Sequence, residues 1–161
     1  MLQIYISLGT NIEPREKRLA EARALLKKSE PLNWQESQIY ETQPWGKTEQ
    51  ANFLNQVIGF SSKKTPYELL EICKNIEQKL GRQKREKWKE REIDLDLLYC
   101  GNEIIKSEIL TIPHPYISER EFVLRPLCDI APDFIDPCSK LTVKEMLAQT
   151  TKSIASPYIL S

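Results

Sequence analysis

Polar and apolar residues alternate from Gln3 to Leu8, with Ile4, Ile6 and Leu8 set against Gln3, Tyr5 and Ser7, which predicts an opening strand. Gly9-Thr10-Asn11 turns the chain, with Asn11 placed to cap the helix that follows. The period then lengthens. Leu19, Ala22, Leu25 and Leu26 form one helical stripe between Pro14 and Lys28, and Pro31 and Asn33 end that unit. Trp34 to Thr42 predicts a second strand, mostly polar and therefore expected at a sheet edge. Gln43 to Asn52, containing Pro44-Trp45-Gly46, is a loop of a length that often serves function in a compact domain.

Phe53 to Ser61 predicts a third strand whose two faces differ. Leu54, Gln56, Ile58 and Phe60 share one face, and Phe53, Asn55, Val57 and Gly59 the other. Thr65-Pro66-Tyr67-Glu68 is a capping box with proline at the first helical position. The stripe Leu69, Ile72, Cys73, Ile76 and Leu80 continues that helix to Gly81, its C-terminal cap, with Glu77 beside the stripe and expected to face solvent. Arg91 to Tyr99 alternates again, Ile93, Leu95, Leu97 and Tyr99 against Glu92, Asp94, Asp96 and Leu98, and predicts a strand. Gly101-Asn102 follows as a hairpin turn into Glu103-Ile104-Ile105. Beyond Leu110-Thr111-Ile112, the flanking prolines of Pro113-His114-Pro115 hold the chain's single histidine on a stiff loop. A turn is expected at Pro126, and a second capping box at Thr142-Val143-Lys144-Glu145 starts a short helix. Together these elements predict an α+β protein, an antiparallel sheet with helices on one side.

Charge changes the picture at one place. Between Lys79 and Glu92 the chain carries seven basic residues against three acidic ones, a local +4 in a protein whose net charge is zero. This cationic stretch feeds into Asp94 and Asp96, whose Cα atoms lie about 6.6 Å apart on one face of a strand. Two carboxylates so placed suit divalent cations spaced about 3.5–4 Å apart, and the neighbouring Lys and Arg suit the phosphate oxygens that metals leave uncovered. A plain amphipathic strand would carry the same D-x-D pattern, but it leaves the adjoining basic run unexplained. On the Phe53 face, an aromatic ring beside the Asn55 amide suits a flat heterocycle with edge donors and acceptors, although the pair is equally ordinary strand chemistry.

With 161 residues, 40% hydrophobic and 29% charged, one domain spanning 1–161 is expected. The neutral balance argues against a general nucleic-acid or membrane-surface binder. Met1 runs directly into a strand pattern without a basic, then apolar, leader, so a cytoplasmic protein is expected. Cys73, Cys100, Cys128 and Cys138 follow no metal spacing and are expected as buried, reduced thiols.

Six ordered blocks carry a resemblance. Tyr5-Ile6-Ser7-Leu8-Gly9-Thr10-Asn11, Glu41-Thr42-Gln43-Pro44-Trp45-Gly46 and Phe53-Leu54-Asn55-Gln56-Val57 are followed by Ile76 through Arg82, Arg91 through Leu98, and Pro113-His114-Pro115 through Leu124. Over nearly its whole length the chain resembles the 6-hydroxymethyl-7,8-dihydropterin pyrophosphokinases of folate biosynthesis. The resemblance implies a ferredoxin-like antiparallel sheet with helices packed on it, and transfer of a diphosphate from MgATP to the pterin hydroxymethyl group with release of AMP. It implies Asp94 and Asp96 as ligands of two Mg²⁺ ions, with Arg82 and Arg91 joining them in catalysis. Glu77, Lys84, Trp88, Leu97, Thr111, His114 and Arg120 are implied at ATP. Thr42, Gln43, Pro44, Trp45, Phe53, Asn55 and Phe122 are implied at the pterin, the two phenylalanines as its stacking faces. ATP and the dihydropterin are the expected partners of a monomer, with no nucleic acid and no membrane.

One stretch departs from the family. Lys89-Glu90 stands before Arg91 where relatives usually carry Gly-Pro, which alters the backbone angles open to a loop expected to order only on binding ligand. Two other classes meet part of the pattern. A single-stranded RNA-binding module would stack bases on Phe53 and Phe122 but would want broad positive charge. A different Mg²⁺-dependent nucleotide transferase would use the same Asp pair.

Overall fold

The computed structural model describes residues 1–43, 50–82, 90–150 and 156–158. The opening alternation becomes the middle of the sheet. Strand β1 (Leu2–Thr10) pairs antiparallel with β4 (Phe53–Ser62) on one side and β5 (Asp94–Cys100) on the other. Beyond β4 lie β3 (Tyr40–Thr42) and β8 (Ser156–Pro157), while β2 (Leu32–Glu36) pairs with the far half of β4. Two short strands, β6 (Ile105–Lys106) and β7 (Thr111–Ile112), form a separate ribbon.

Because side chains alternate along β1, neighbouring residues feed two different cores. Ile4, Ile6 and Leu8 pack under helices α1 (Arg15–Lys27) and α2 (Pro66–Lys79), against Leu19, Ala22, Leu26, Leu69, Cys73 and Ile76. Tyr5, with Val57 of β4, points the other way, to Val123, Leu124 and Leu127 of α3 (Glu121–Ile130) and to Val143 and Met146 of α4 (Val143–Ala148). Helices therefore cover both faces of the sheet, not one face as the alternation alone predicts. The capping boxes at Thr65 and Thr142 both form, each threonine accepting from the backbone N–H three residues on while that glutamate reaches back.

Several expectations change on contact with tertiary structure. Trp34 to Thr42 is two strands, because Ser37 breaks the ladder: its Oγ accepts from Val57 N at 2.9 Å, and its carbonyl accepts from the Gln56 side chain at 2.9 Å. The strand expected from Arg91 starts at Asp94, and between Tyr5 and Ile6 its register with β1 slips by one residue at Leu98. That bulge sends Leu97 to the α1/α2 core but Tyr99 to the α3/α4 core, so Tyr99 does not share the face of Leu95 and Leu97. Gly101-Asn102 does turn the chain, but β5 and β6 do not pair, and β6 takes β7 instead. Pro126 lies buried inside α3, not at a turn, and its ring nitrogen gives up one backbone hydrogen bond of the helix. Asn11 does not cap α1, whose N-cap is Pro14 with no side-chain bond. All four cysteines are free, but only Cys73 and Cys100 are buried, and Cys138 is exposed.

Candidate active site

The register of β1 lays out the site. Gly9 pairs with Asp94 on one side and Asn55 on the other, and Ser7 pairs with Asp96 and Val57. Asp94, Asp96, Phe53 and Asn55 therefore share one sheet face, with β1 as the floor between them. A Cβ on Gly9 would meet Asn55 Oδ1 at 3.3 Å, so the glycine keeps that floor low. The N-terminal end of α3 brings Arg120 and Phe122 over the same face. The result is a cleft of about 570 Å³ that continues past β5, the last strand of the sheet, to Leu70, Lys74 and Glu77 of α2.

Every described residue expected at the site lines this cleft: Thr42, Gln43, Phe53, Asn55, Glu77, Arg82, Arg91, Asp94, Asp96, Leu97, Thr111, His114, Arg120 and Phe122. Pro44, Trp45, Lys84 and Trp88 lie outside the described residues, as does Lys89 of the Lys89-Glu90 departure. Ser7, Lys74, Ile109 and Tyr116 also line the cleft and carried no local signal; Ser7 is found only once its register with Asp96 is known.

The charged half is built from the end of α2. Helix α2 closes in a Schellman turn: Gly81 at φ 84° donates to Gln78 O, and Arg82 N donates to Glu77 O. That turn aims Arg82 at β5, where its Nε donates to Asp94 Oδ1 at 2.8 Å. Arg91 Nε lies 3.7 Å from the same oxygen. Burial pushes the Asp94 carboxyl up, the Asp96 charge adds to this, and Arg82 pulls against both. His114 Nδ1 donates to the Pro115 carbonyl at 2.7 Å, which leaves Nε2 facing Asp96 Oδ1 at 3.9 Å.

Glu77 does not face solvent. Its Oε2 accepts from Leu95 N, between the two aspartates, at 2.9 Å, and burial pushes its carboxyl up to about 7. Asn11, expected as a cap, serves this half too. Its Oδ1 accepts from Arg91 N at 2.8 Å, and its Nδ2 donates to Gln50 Oε1 and Ala51 O. Thr10 Oγ1 adds a 2.6 Å bond to Glu92 O. These contacts hold the chain where it enters β5.

The other half is neutral. Asn55 Nδ2 donates to Thr42 Oγ1 at 2.8 Å, and both residues are buried. Phe53 and Phe122 are half-buried on the cleft wall, and the Arg120 guanidinium lies 5.8 Å from the Phe122 ring.

The donor set fits Mg²⁺. Carboxylate oxygens are hard ligands, and Asp94, desolvated beside the more exposed Asp96, gains from a cation between them. No group of three or more His, Cys, Asp or Glu forms a metal cluster among the described residues. Two carboxylates leave most of a coordination shell to phosphate and water, as Mg²⁺ bound with a nucleotide requires.

Paired carboxylates and arginines beside a neutral aromatic–amide wall suit a transferase that handles a polyphosphate next to a flat heterocycle. The sequence profile of the 7,8-dihydro-6-hydroxymethylpterin-pyrophosphokinase (HPPK) family matches residues 5–132. The chain is 36% identical over 152 residues to the 2-amino-4-hydroxy-6-hydroxymethyldihydropteridine pyrophosphokinase of Aquifex aeolicus, covering 94% of each. It is 44% identical over 127 residues to the Bacillus subtilis enzyme of the same name, covering 78% of this chain and 76% of that one. The fold also matches a Plasmodium falciparum HPPK-DHPS crystal structure with pteroate (TM-score 0.72, 16% identity), over 92% of this chain and 42% of that one. This chain belongs to the HPPK family.

Proposed function

We propose that this protein transfers a diphosphate group from ATP to the hydroxymethyl oxygen of 6-hydroxymethyl-7,8-dihydropterin and releases AMP, a step of folate biosynthesis. The observation that carries this is the division of one cleft, with Asp94 and Asp96 on one side of Gly9 and Asn55 and Phe53 on the other. In the reaction, the hydroxymethyl oxygen forms a bond to the β-phosphorus as the bond from that phosphorus to the α–β bridging oxygen breaks. The hydroxyl proton leaves to solvent, and no covalent enzyme intermediate is needed.

Asp94 and Asp96 would hold Mg²⁺, and two ions is the number we infer from two carboxylates on one strand face. Bound with ATP, the metal supplies charge neutralisation at the phosphates. Arg82 and Arg91, which face Asp94, take the phosphate oxygens on their side of the cleft, and His114 and Arg120 take those nearer β7. Leu97 and Thr111 line the remainder of the nucleotide side, where Glu77 holds β5 against α2. Phe53 and Phe122 stack on the pterin while Asn55 and the Thr42–Gln43 backbone read its edge, which orients the hydroxymethyl group toward the phosphates. Lys84, Trp88, Pro44 and Trp45 belong to the same proposal from the family's pattern.

We also propose that residues 1–161 act as one catalytic domain, as a monomer in the cytoplasm. In support, one sheet separates the two cores, and no helix among the described residues is long and apolar enough to cross a membrane. Incubation with MgATP and the reduced pterin alcohol tests the reaction. AMP and the pterin diphosphate are expected in equal amounts. ADP would mean single phosphoryl transfer, and free pyrophosphate would mean nucleotidyl transfer; either would overturn the proposal.

A further inference from the structure

One guanidinium outside the cleft holds the chain at Glu41, two residues before the 43–52 segment, and at Asn52, the last residue of that segment. Arg15 is the first residue of α1, and its side chain is 14% exposed. Its Nη1 donates to Glu41 Oε2 at 2.7 Å and to Asn52 O at 3.0 Å, while its Nε donates to Glu13 Oε1 at 2.5 Å. Glu41 directly precedes Thr42, and Asn52 directly precedes Phe53. The first of these strands leads into the segment and the second leaves it, paired Thr42 to Phe53.

The C-terminal segment closes over this contact. Strand β8 pairs with the outer edge of β3, Glu41 opposite Ser156, and Tyr158 N donates to Ile39 O at 2.8 Å. The Tyr158 ring lies 5.6 Å from the Arg15 guanidinium, and its hydroxyl donates to Glu16 Oε1 at 2.6 Å. A sheet edge and a cation over a ring thus add to the three side-chain bonds that fix the arginine.

We propose that Arg15, roofed by Tyr158, is a positioning residue that sets the geometry of the pterin half of the cleft. It does not line the cleft and touches no reacting group. It acts through Glu41 and Asn52, whose chain neighbours Thr42 and Phe53 do line it. A planar fork can bond a carboxylate and a carbonyl together while it lies against a ring, which an ammonium cannot do in the same place. The inference rests on the pterin assignment made above.

The test uses the full-length protein, saturated with Mg²⁺ and a non-hydrolysable ATP analogue and titrated with the reduced pterin. Arg15→Met should weaken pterin binding about tenfold, and Arg15→Lys should recover only part of that loss. Tyr158→Leu and Glu41→Gln break the same network from the partner side and should weaken pterin binding by about threefold each. Affinity for the ATP analogue alone should stay within about twofold in all four variants. A general packing role would instead lower both affinities in step with the melting temperature. Pterin affinity within about twofold of wild type in a folded Arg15 variant, or equal losses for the two ligands, overturns the inference. If Arg15→Met does not fold, unchanged pterin binding in both Tyr158→Leu and Glu41→Gln overturns it as well. Wild type that binds no pterin and yields no AMP would instead remove the functional assignment itself.

Discussion

On one side of Gly9 the cleft gathers like charges. Asp94 and Asp96 face the same way, burial and mutual repulsion push the Asp94 carboxyl up, and Arg82 offsets only part of that cost. On the other side, Asn55 and Thr42 bond each other, and Phe53 and Phe122 offer ring faces with no charge to desolvate. Without ligand, then, the charged half opposes folding, while the neutral half is a satisfied extension of the sheet. The two halves also differ in how they are held. The charged half is pinned by side chains reaching in from elsewhere, Glu77 to Leu95 N and Asn11 to Arg91 N. The neutral half is held mainly by strand pairing, β3 to β4 and β8 to β3, with Arg15 reaching in from α1 to Glu41 and Asn52. On the proposed function, a polyphosphate with its metal would supply what the first half lacks, and a neutral heterocycle would ask only for shape and edge bonds from the second.

The sharpest way to break this comparison is to remove charge from the first half. Asp96→Ala should lower the rate of AMP formation by at least ~10²-fold, the scale expected when a charge-organising group is lost from phosphoryl transfer. The same substitution should leave the melting temperature of the ligand-free protein unchanged or raise it, because it relieves the repulsion on Asp94. Rate assays and thermal unfolding of the same preparation check both. Near-normal AMP formation, or a lowered melting temperature, would mean that the pair is structural.

Substitutions in the neutral half sharpen the contrast. Phe53→Ala or Phe122→Ala should weaken pterin binding by about 1–3 kcal/mol, the scale of aromatic stacking on a base, and affect an ATP analogue much less. Isothermal titration with each ligand separates the outcomes. Equal losses for the two ligands would show that these rings support the core, not the pterin.

How much of this was legible depended on whether the determining contact was local. The capping boxes at Thr65 and Thr142 and the Gly81 stop are local, and each is found where the pattern puts it. The face shared by Phe53 and Asn55 followed from a period of two, since β4 runs without a bulge against β1. Leu98 shows the opposite case. Nothing in Asp94 to Cys100 marks a bulge, and a one-residue slip against β1 moved Tyr99 to the other core. Local pattern misplaces Asn11 for a related reason: its neighbours read as a helix cap, and its side chain bonds backbone 80 residues away. Glu77, beside the apolar stripe of α2, reads as solvent-facing, and only the family resemblance puts it at the site, because its bond is to Leu95 N, 18 residues on. Helices on both faces leave little mark in the alternation, because Tyr5 of β1, Gly59 of β4 and Tyr99 of β5 on the second face do not read as an apolar run.

The smallest expected effect concerns what holds the neutral half from behind. Tyr40, at the head of β3, donates its hydroxyl to Asp129 of α3 at 2.9 Å, and the same carboxylate accepts from Gln38 N at 3.2 Å. Burial, then the bond to Asp129 and its charge, push the Tyr40 hydroxyl up to about 12. A raised pKa means that the folded protein binds this proton more tightly than the unfolded chain. Its contribution to stability is therefore complete below pH ~10 and is lost as pH rises through about 12. Tyr40→Phe should lower stability at neutral pH by ~1 kcal/mol, the scale of one hydrogen bond, and should flatten part of the decline above pH ~10. Tyr99, whose hydroxyl is pushed up by burial and bonded to Asp136, remains to supply part of that decline, as do Tyr5 and the buried thiols of Cys73 and Cys100, all pushed up by burial. Denaturant melts from neutral to alkaline pH measure the difference. Parallel curves for wild type and Tyr40→Phe would mean that Tyr40 keeps no protonation preference on folding, and that β3 is held by strand pairing and Arg15 without it.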